Sequence, residues 1–393
     1  MSGSLNNIYN NVNFALNLHT EAMSILQEQA STGSRINRIS DDPTAAYRIL
    51  GLNTNYKSLD NYVYNLSEVT STLELSSTVV QDITSSFTDT QMLLTQITSG
   101  IYNDDARQRT AEGINDILEQ TVLLANTKHM DQYLYGGSST GTAPYTVERT
   151  NGKITKVTYT GSLENRDIEV APGVESSAFY VGNDIFRSDD RSTPVFSGYT
   201  GAQSGTGTSS CRGGVWLTVT GSAGNYDLSI DGGLSTFNTN GTDTNLAVTN
   251  SQTGEVLYVD TTGITSTGTD LVRIPGTYDV FNTLITIRDV LENQNGLTNA
   301  QVLEQAKNLP YSIDEISKVL VKAEVSIGSK IGFLDDLKHS LENIQYNTEE
   351  ETTHLQEADI AQIAIDLSRR EVLYQMSLSV AAKLMSMSLL NYI

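Results

Sequence analysis

The 393-residue chain contains one cysteine, Cys211, so an internal disulfide framework is excluded. It contains no run of about 18 apolar residues, the length a membrane-spanning helix needs. Positive charge is scarce: 24 Lys and Arg stand against 46 Asp and Glu, for a net charge of -22. Nucleic-acid binding and attraction to anionic membranes both need a basic stripe, so neither is expected. His19, His129, His339 and His354 are scattered and form no H-E-x-x-H motif, and no G-x-x-x-x-G-K-[ST] phosphate loop occurs. The opening residues, Met1 to Tyr9, have neither a basic start nor an apolar stretch, so no secretory signal peptide is expected. Composition alone would place such a chain in the cytoplasm.

What the chain has instead is two heptad stripes far apart in sequence. Ile49, Leu52, Tyr56, Leu59, Val63, Leu66, Thr70 and Leu73 alternate at spacings of three and four. Ile313, Ile316, Leu320, Ala323, Ile327, Lys330, Leu334, Leu337, Leu341 and Ile344 do the same downstream. So narrow a stripe faces a partner helix rather than a round core, and each stripe is the economical partner for the other. Between them the pattern changes to alternation among Thr, Ser, Gly and Asn. The expected class is α+β and multidomain: a long coiled-coil rod built from the N- and C-terminal segments, with a mainly antiparallel β domain inserted.

The expected divisions are 1–42, a first helix and loop pairing with 357–393; 43–137 and 278–356, the two halves of the rod; and 138–277, the variable β insert. In the first segment Leu5, Ile8, Val12 and Leu26 share a thin apolar face, and Gly33 reads as a C-cap. Asp42 reads as the N-cap of a helix with Pro43 at its first position, where the missing N–H goes unpaired anyway. That helix is expected to reach about Ser99, and a third to run from Ala106 to Tyr135. Asn151-Gly152 predicts a type I′ hairpin turn within Thr146–Val157. Further strands are expected at Val215–Thr220, Tyr226–Ile230, Leu246–Thr249 and Val256–Asp260, with Ser197–Gly214 reading as a loop or linker. A short helix is expected over Asn299–Lys307, and Ser312 with Glu315 forms a capping-box pattern opening the last long helix of the rod. The C-terminal segment carries Leu373, Met376, Val380 and Leu384 on an apolar face, weakened by many small residues.

Candidate chemistry is thin. Gly137-Ser138-Ser139-Thr140-Gly141 matches the G-x-S-x-G elbow, but that motif requires a strand before and a helix after it, and here the order is wrong. His339 beside Asp335 and Asp336 fits a solvated helix face better than a one-imidazole metal site. No catalytic, cofactor-binding or metal-binding residue is assigned, and no enzyme activity is expected.

Gln29-Ala30-Ser31-Thr32-Gly33-Ser34-Arg35-Ile36-Asn37-Arg38-Ile39-Ser40-Asp41-Asp42-Pro43-Thr44-Ala45-Ala46 resembles the N-terminal signature of bacterial flagellins and their relatives. Ser388-Leu389-Leu390-Asn391-Tyr392-Ile393 resembles the C-terminus of that superfamily. Asp42-Pro43 in place of Asp-Ala-Ala-Gly, the aromatic residue beside the last apolar one, and the passage Tyr133-Leu134-Tyr135-Gly136-Gly137 resemble its hook-associated, hook–filament junction branch. The resemblance covers about 1–140 and 278–393.

The resemblance implies a structural adaptor of the flagellum, present as a ring of identical subunits and without cofactors. Its implied partners are other copies of itself, the neighbouring hook-associated junction protein, flagellin, an export chaperone and the flagellar type III apparatus. Export without a cleavable signal would make it extracellular. The implied assembly interface comprises Leu5, Ile8, Val12 and Leu26; the loop residues Arg35, Asn37, Arg38, Asp41, Asp42 and Pro43; and Leu373, Met376, Val380, Leu384, Leu389, Leu390, Tyr392 and Ile393. Arg35 and Arg38 are expected to pair with carboxylates of a neighbouring copy. A filament-forming flagellin is the alternative, and an adhesin or enzyme carried in the β insert a more distant one.

Overall fold

The computed structural model describes residues 2–99 and 104–390, without the side chains of residues 2–6, 8, 9, 99 and 386–390. In chain order come helices α1 (Ser2–Thr32), α2 (Pro43–Ser99) and α3 (Asp104–Ala125), then a string of short antiparallel strands. These are β1 (Lys128–His129), β2 (Gln132–Tyr133), β3 (Tyr145–Thr150), β4 (Lys153–Tyr159), β5 (Arg166–Ala171) and β6 (Val174–Phe179). A one-turn helix α4 (Gly182–Phe186) precedes β7 (Val195–Ser197), β8 (Gln203–Ser204), β9 (Gly213–Ser222) and β10 (Asn225–Ser229). β11 (Phe237–Thr239), β12 (Leu246–Thr249), β13 (Val256–Asp260) and β14 (Gly268–Ile274) complete the strands. Helices α5 (Val280–Glu292), α6 (Asn299–Ala306), α7 (Leu309–Gln356) and α8 (Ile360–Leu390) follow. Long helices with antiparallel β structure inserted in sequence between them are the class the heptads and the alternation implied. The chain divides into two compact units, one made of 1–64 with 337–393 and the other of 65–336.

In the larger unit the α2 seam continues well past the stripe read from sequence. Leu66, Val69, Leu73, Ser76, Val80, Ile83, Phe87, Thr90, Leu94 and Ile97 keep the three–four alternation and are all buried. Ser76 and Thr90 are the hydroxyl members of this continuation, as Thr70 is of the stripe before it. Both are satisfied internally: the Ser76 hydroxyl donates to Tyr135 Oη at 3.1 Å, and Thr90 donates to the Ser86 carbonyl at 2.9 Å. On α7, Ile313, Ile316, Leu320, Ala323, Ile327 and Leu334 are buried at the same spacing. Gln81 Nε2 donates to Glu324 at 2.8 Å, placing the two helices side by side. Lys330 is the polar member of that stripe. It donates to the Ser177 carbonyl at 2.7 Å and lies 5.4 Å from the Tyr180 ring centre. Desolvation lowers its ammonium pKa, with Asp167 opposing.

The β region has two sheets over one core. Five strands run in the order β11–β10–β9–β14–β7 and three in the order β12–β13–β8. Period-two alternation turns Leu217 and Val219 of β9, Leu228 of β10, and Leu257 and Val259 of β13 inward, where they join Val248, Val272 and Ile274. The segment Ser197–Gly214 is not a linker. Ala202 and Cys211 belong to this core, and β8 within the segment pairs with β13. Its Gly/Ser/Thr content serves close backbone packing: a Cβ on Gly198 would land on the buried Asp270 carboxylate.

Asn151 and Gly152 form the β3–β4 turn with positive φ at both positions (52° and 82°), as the Asn-Gly pair requires. Two local expectations fail. The third helix stops at Ala125, and Lys128–Tyr133 forms the β1–β2 hairpin instead. The second concerns α7. It begins at Leu309, before Pro310, because proline is tolerated throughout a first helical turn where N–H groups lack partners. Ser312 and Glu315 therefore lie inside the helix, Glu315 accepting the Tyr278 N–H at 3.2 Å, while a true capping box, Thr298 with Gln301, opens α6.

Helices α3 and α5 pack together through Ile114, Leu118 and Val122 on one and Leu284, Ile287 and Leu291 on the other. Arg288 is fully buried beside them. Its guanidinium donates to the Ile154 carbonyl at 2.7 Å, to Asn115 at 3.0 Å and to Asp289 at 2.7 Å.

Candidate assembly surfaces

In the smaller unit α1 and α8 pack along each other. Ser34 bridges to Glu357, Ala358 N–H donates to the Gly33 carbonyl at 3.0 Å, and Arg35 N–H donates to the Gln356 carbonyl at 2.7 Å. Gly33 closes α1 at φ 69°, its N–H donating to the Gln29 carbonyl at 2.9 Å. Farther along the pair, Arg370 lies 3.5 Å from His19 Nδ1.

Pairing does not consume the apolar faces. On α1, Phe14, Leu18 and Ile25 are exposed; on α8, Ile360, Ile365, Val372, Leu373, Met376, Leu378, Val380 and Met385 are exposed, Met376 at 60%. Val12, Leu26 and Leu384 are half-buried. The side chains of Leu5, Ile8, Leu389 and Leu390, together with all of Tyr392 and Ile393, lie outside the described residues. So many exposed large apolar side chains on one helix pair are unusual for a molecule that works alone.

The loop from Ser34 to Asp42 is held by its own residues. Asp41 accepts the N–H groups of Asn37 at 3.0 Å and Arg38 at 2.8 Å, while Asn37 Nδ2 donates to the Ser34 carbonyl at 3.2 Å. Asp42 accepts the Ala45 N–H at 3.0 Å, capping α2 ahead of Pro43. That hydrogen bond, with the Arg35 guanidinium at 3.2 Å, holds the Asp42 carboxyl below the usual carboxylate range. Arg38 pairs with Glu28 at 3.0 Å. Both arginines thus have a carboxylate within their own chain, which supplies what the sequence left to a neighbouring copy. Beyond the loop, Arg48 of α2 pairs with Glu351 of α7, and Gln345 donates to Asp60 at 3.3 Å. Ile344, the last residue of the downstream stripe, is exposed rather than seated in a seam.

Beside the loop, Ile36, Ile39, Pro43, Ala46, Tyr47 and Leu50 line an open apolar groove of about 380 Å³. Ile39 is 77% exposed and Tyr47 80%; neither was singled out as interface from sequence. Their signal was present around the Asp42-Pro43 cap, with Ile39 inside the signature before it and Tyr47 just past the signature's end.

The elbow-like motif is a crossing point of backbone. A Cβ on Gly137 would meet the Glu164 and Ser162 carbonyls at 2.6 and 2.7 Å, and Ser138 Oγ donates to Ser162 Oγ at 2.7 Å. The histidines are far apart in role: His129 meets Thr72 at 3.0 Å, His339 meets Glu342 at 3.3 Å and His354 lies 3.7 Å from Glu350. Among the described residues, no group of three or more His, Cys, Asp or Glu side chains is placed to hold a metal ion, and no helix is long and apolar enough to cross a membrane.

Residues 4–140 match the bacterial flagellin N-terminal helical region. The chain is similar to flagellar hook-associated protein 3 of Escherichia coli, 29% identical over 162 residues, or 41% of this chain and 49% of that protein. The Salmonella typhimurium protein of the same name is 30% identical over 121 residues, 30% of this chain and 38% of that one. The alignments therefore span about half the length of these relatives or less. The fold matches that of flagellar hook-associated protein 3 from Legionella pneumophila, with a TM-score of 0.54 and 14% identity over 78% of this chain and 98% of that one.

Proposed function

We propose that this chain is a structural subunit of the bacterial flagellum that joins the hook to the flagellin filament as a ring of copies, with no enzymatic role. The observation that carries the reading is the apolar surface left open on α1 and α8 after the two helices pair. Covering one such large side chain contributes about 1.5–3 kcal/mol, whereas an exposed ion pair contributes about 0–1 kcal/mol. Ring formation is therefore driven by the apolar faces, and Arg35, Arg38, Asp41 and Asp42 serve to fix the loop between α1 and α2. The partners in this reading are the preceding hook-associated protein on one side and the first flagellin subunits on the other. Delivery is by the flagellar export apparatus with a chaperone covering the C-terminal helix.

Immunogold labelling of isolated flagella tests the assignment. Label confined to the hook boundary supports it, and label along the filament replaces it with a filament flagellin. A deletion strain should still build hooks while shedding flagellin into the medium. Purified protein should not grow filaments from seeds of itself.

A further inference from the structure

The two-residue turns of the β1–β2 and β3–β4 hairpins are built from very different residues. In β3–β4 the turn is Asn151-Gly152, the pair that tolerates left-handed backbone best. In β1–β2 it is Met130-Asp131, with φ 47° and 61°. A methionine in that region is disfavoured, and strain of this kind persists where surrounding structure imposes it and a function uses it. The hairpin stem is well anchored. His129 meets Thr72 at 3.0 Å, Arg166 donates to Gln132 at 3.1 Å, and Leu134 N–H donates to the Thr127 carbonyl at 3.1 Å. The tip is not covered: Met130 is 67% exposed and Asp131 is exposed. A fixed stem therefore presents an unbranched, adaptable apolar side chain with a carboxylate next to it.

The groove at Ile36, Ile39, Pro43, Tyr47 and Leu50 has the complementary character. It is apolar and open, and Arg38 lines it with a guanidinium still largely exposed beside its Glu28 partner. We propose that the Met130-Asp131 tip of one copy docks into this groove of the next, Met130 against Ile39 and Tyr47, and Asp131 near Arg38. The two surfaces differ, so the contact is heterologous and repeats head to tail, the kind of interface that generates rings or helical arrays. The inference rests on the self-assembly reading above and names which surfaces meet.

The test uses full-length chains carrying Ile39→Cys or Met130→Cys. Cys211 stays in place, since burial pushes its thiol up to about 12 and keeps it inert. Mixing the two single variants under mild oxidation should give a crosslinked dimer that neither gives alone, and the double variant should give a ladder. Met130→Gly separates docking from local structure: it relieves the turn, so a purely structural role predicts unchanged or better assembly, whereas docking predicts its loss. Asp131→Arg should lower the crosslink yield a few-fold, and Arg38→Asp in the groove-bearing chain should restore it. Absence of the mixed dimer both in solution and in isolated flagella overturns the inference, as does crosslinking of Ile39→Cys to itself or of Met130→Cys to a different flagellar protein. A junction-localised protein without the disulfide sinks the docking alone. A ladder from a protein absent from flagella sinks the functional reading alone.

Discussion

The α1–α8 pair and the β region use apolar residues in opposite ways. In the β region, Leu217, Leu228, Val248, Leu257, Val259 and Val272 are essentially inaccessible, and the hydroxyl-rich loops around them are tied back by Asp231, Asp243 and Asp270. In the α1–α8 pair, apolar side chains of comparable size face outward on both helices. The first arrangement is complete within one chain. In the proposed function the second becomes complete when another chain arrives, so its energetics would belong to an assembly and depend on concentration.

The largest way to break the contrast is inside the complete region. Arg288→Ala removes a fully buried guanidinium, strands the Ile154 carbonyl, and leaves Asp289 without its counter-charge. A loss of about 3–5 kcal/mol is expected in urea unfolding of the full chain. Gly276→Ala comes next. Its φ of 76° disfavours any side chain, and a Cβ would fall 1.5 Å from the Asp190 carbonyl. About 1–3 kcal/mol of destabilisation should appear by the same measurement.

Asp279→Asn should act in the other direction. Desolvation raises the Asp279 carboxyl pKa, against the Asn282 and Phe281 N–H groups and the charges of Arg187 and Arg212. The folded state thus holds the proton more firmly than the unfolded chain. Its contribution to stability is fully present below the unfolded pKa and is lost as pH rises through the folded one. Asparagine keeps the cap, since Asp279 accepts the Asn282 N–H, without the charge. The variant should be the more stable protein at neutral pH, and the gap should close in acid when urea midpoints are compared.

Met376→Asp should change monomer stability least, within about 0.5 kcal/mol, because that side chain is already in water. It should nevertheless abolish incorporation into flagella, scored by immunogold. Equal losses of folding and incorporation would erase the distinction between the two regions.

Much of the fold was legible where a residue's local chemistry and its tertiary environment agree. Asp42-Pro43 opens α2, Gly33 ends α1, Asn151-Gly152 turns a hairpin, and the apolar members of both heptads are buried or half-buried where the spacing put them, Ile344 excepted. Legibility failed where tertiary contacts overrode local preference. Met130-Asp131 carries no turn signal, so Lys128–Tyr133 read as more helix. The upstream stripe as read ended at Leu73, short of Ser76 and Thr90, which belong to the buried seam, and the core residues Ala202 and Cys211 were hidden among Gly, Ser and Thr. At the candidate interface, sequence marked the apolar side of α8 and the loop, but it passed over the Ile39–Tyr47–Leu50 groove, since only the folded loop brings those side chains together.

Lys330 has a consequence for how the long helices align. Sliding α7 by one heptad would keep leucines and isoleucines facing the same direction, and apolar contacts alone would resist it weakly. The slip would, however, pull the ammonium away from the Ser177 carbonyl and the face of Tyr180 and drop it among aliphatic neighbours. A single charged seat in an otherwise greasy ladder thus acts as an indexing pin, trading some stability for one permitted alignment.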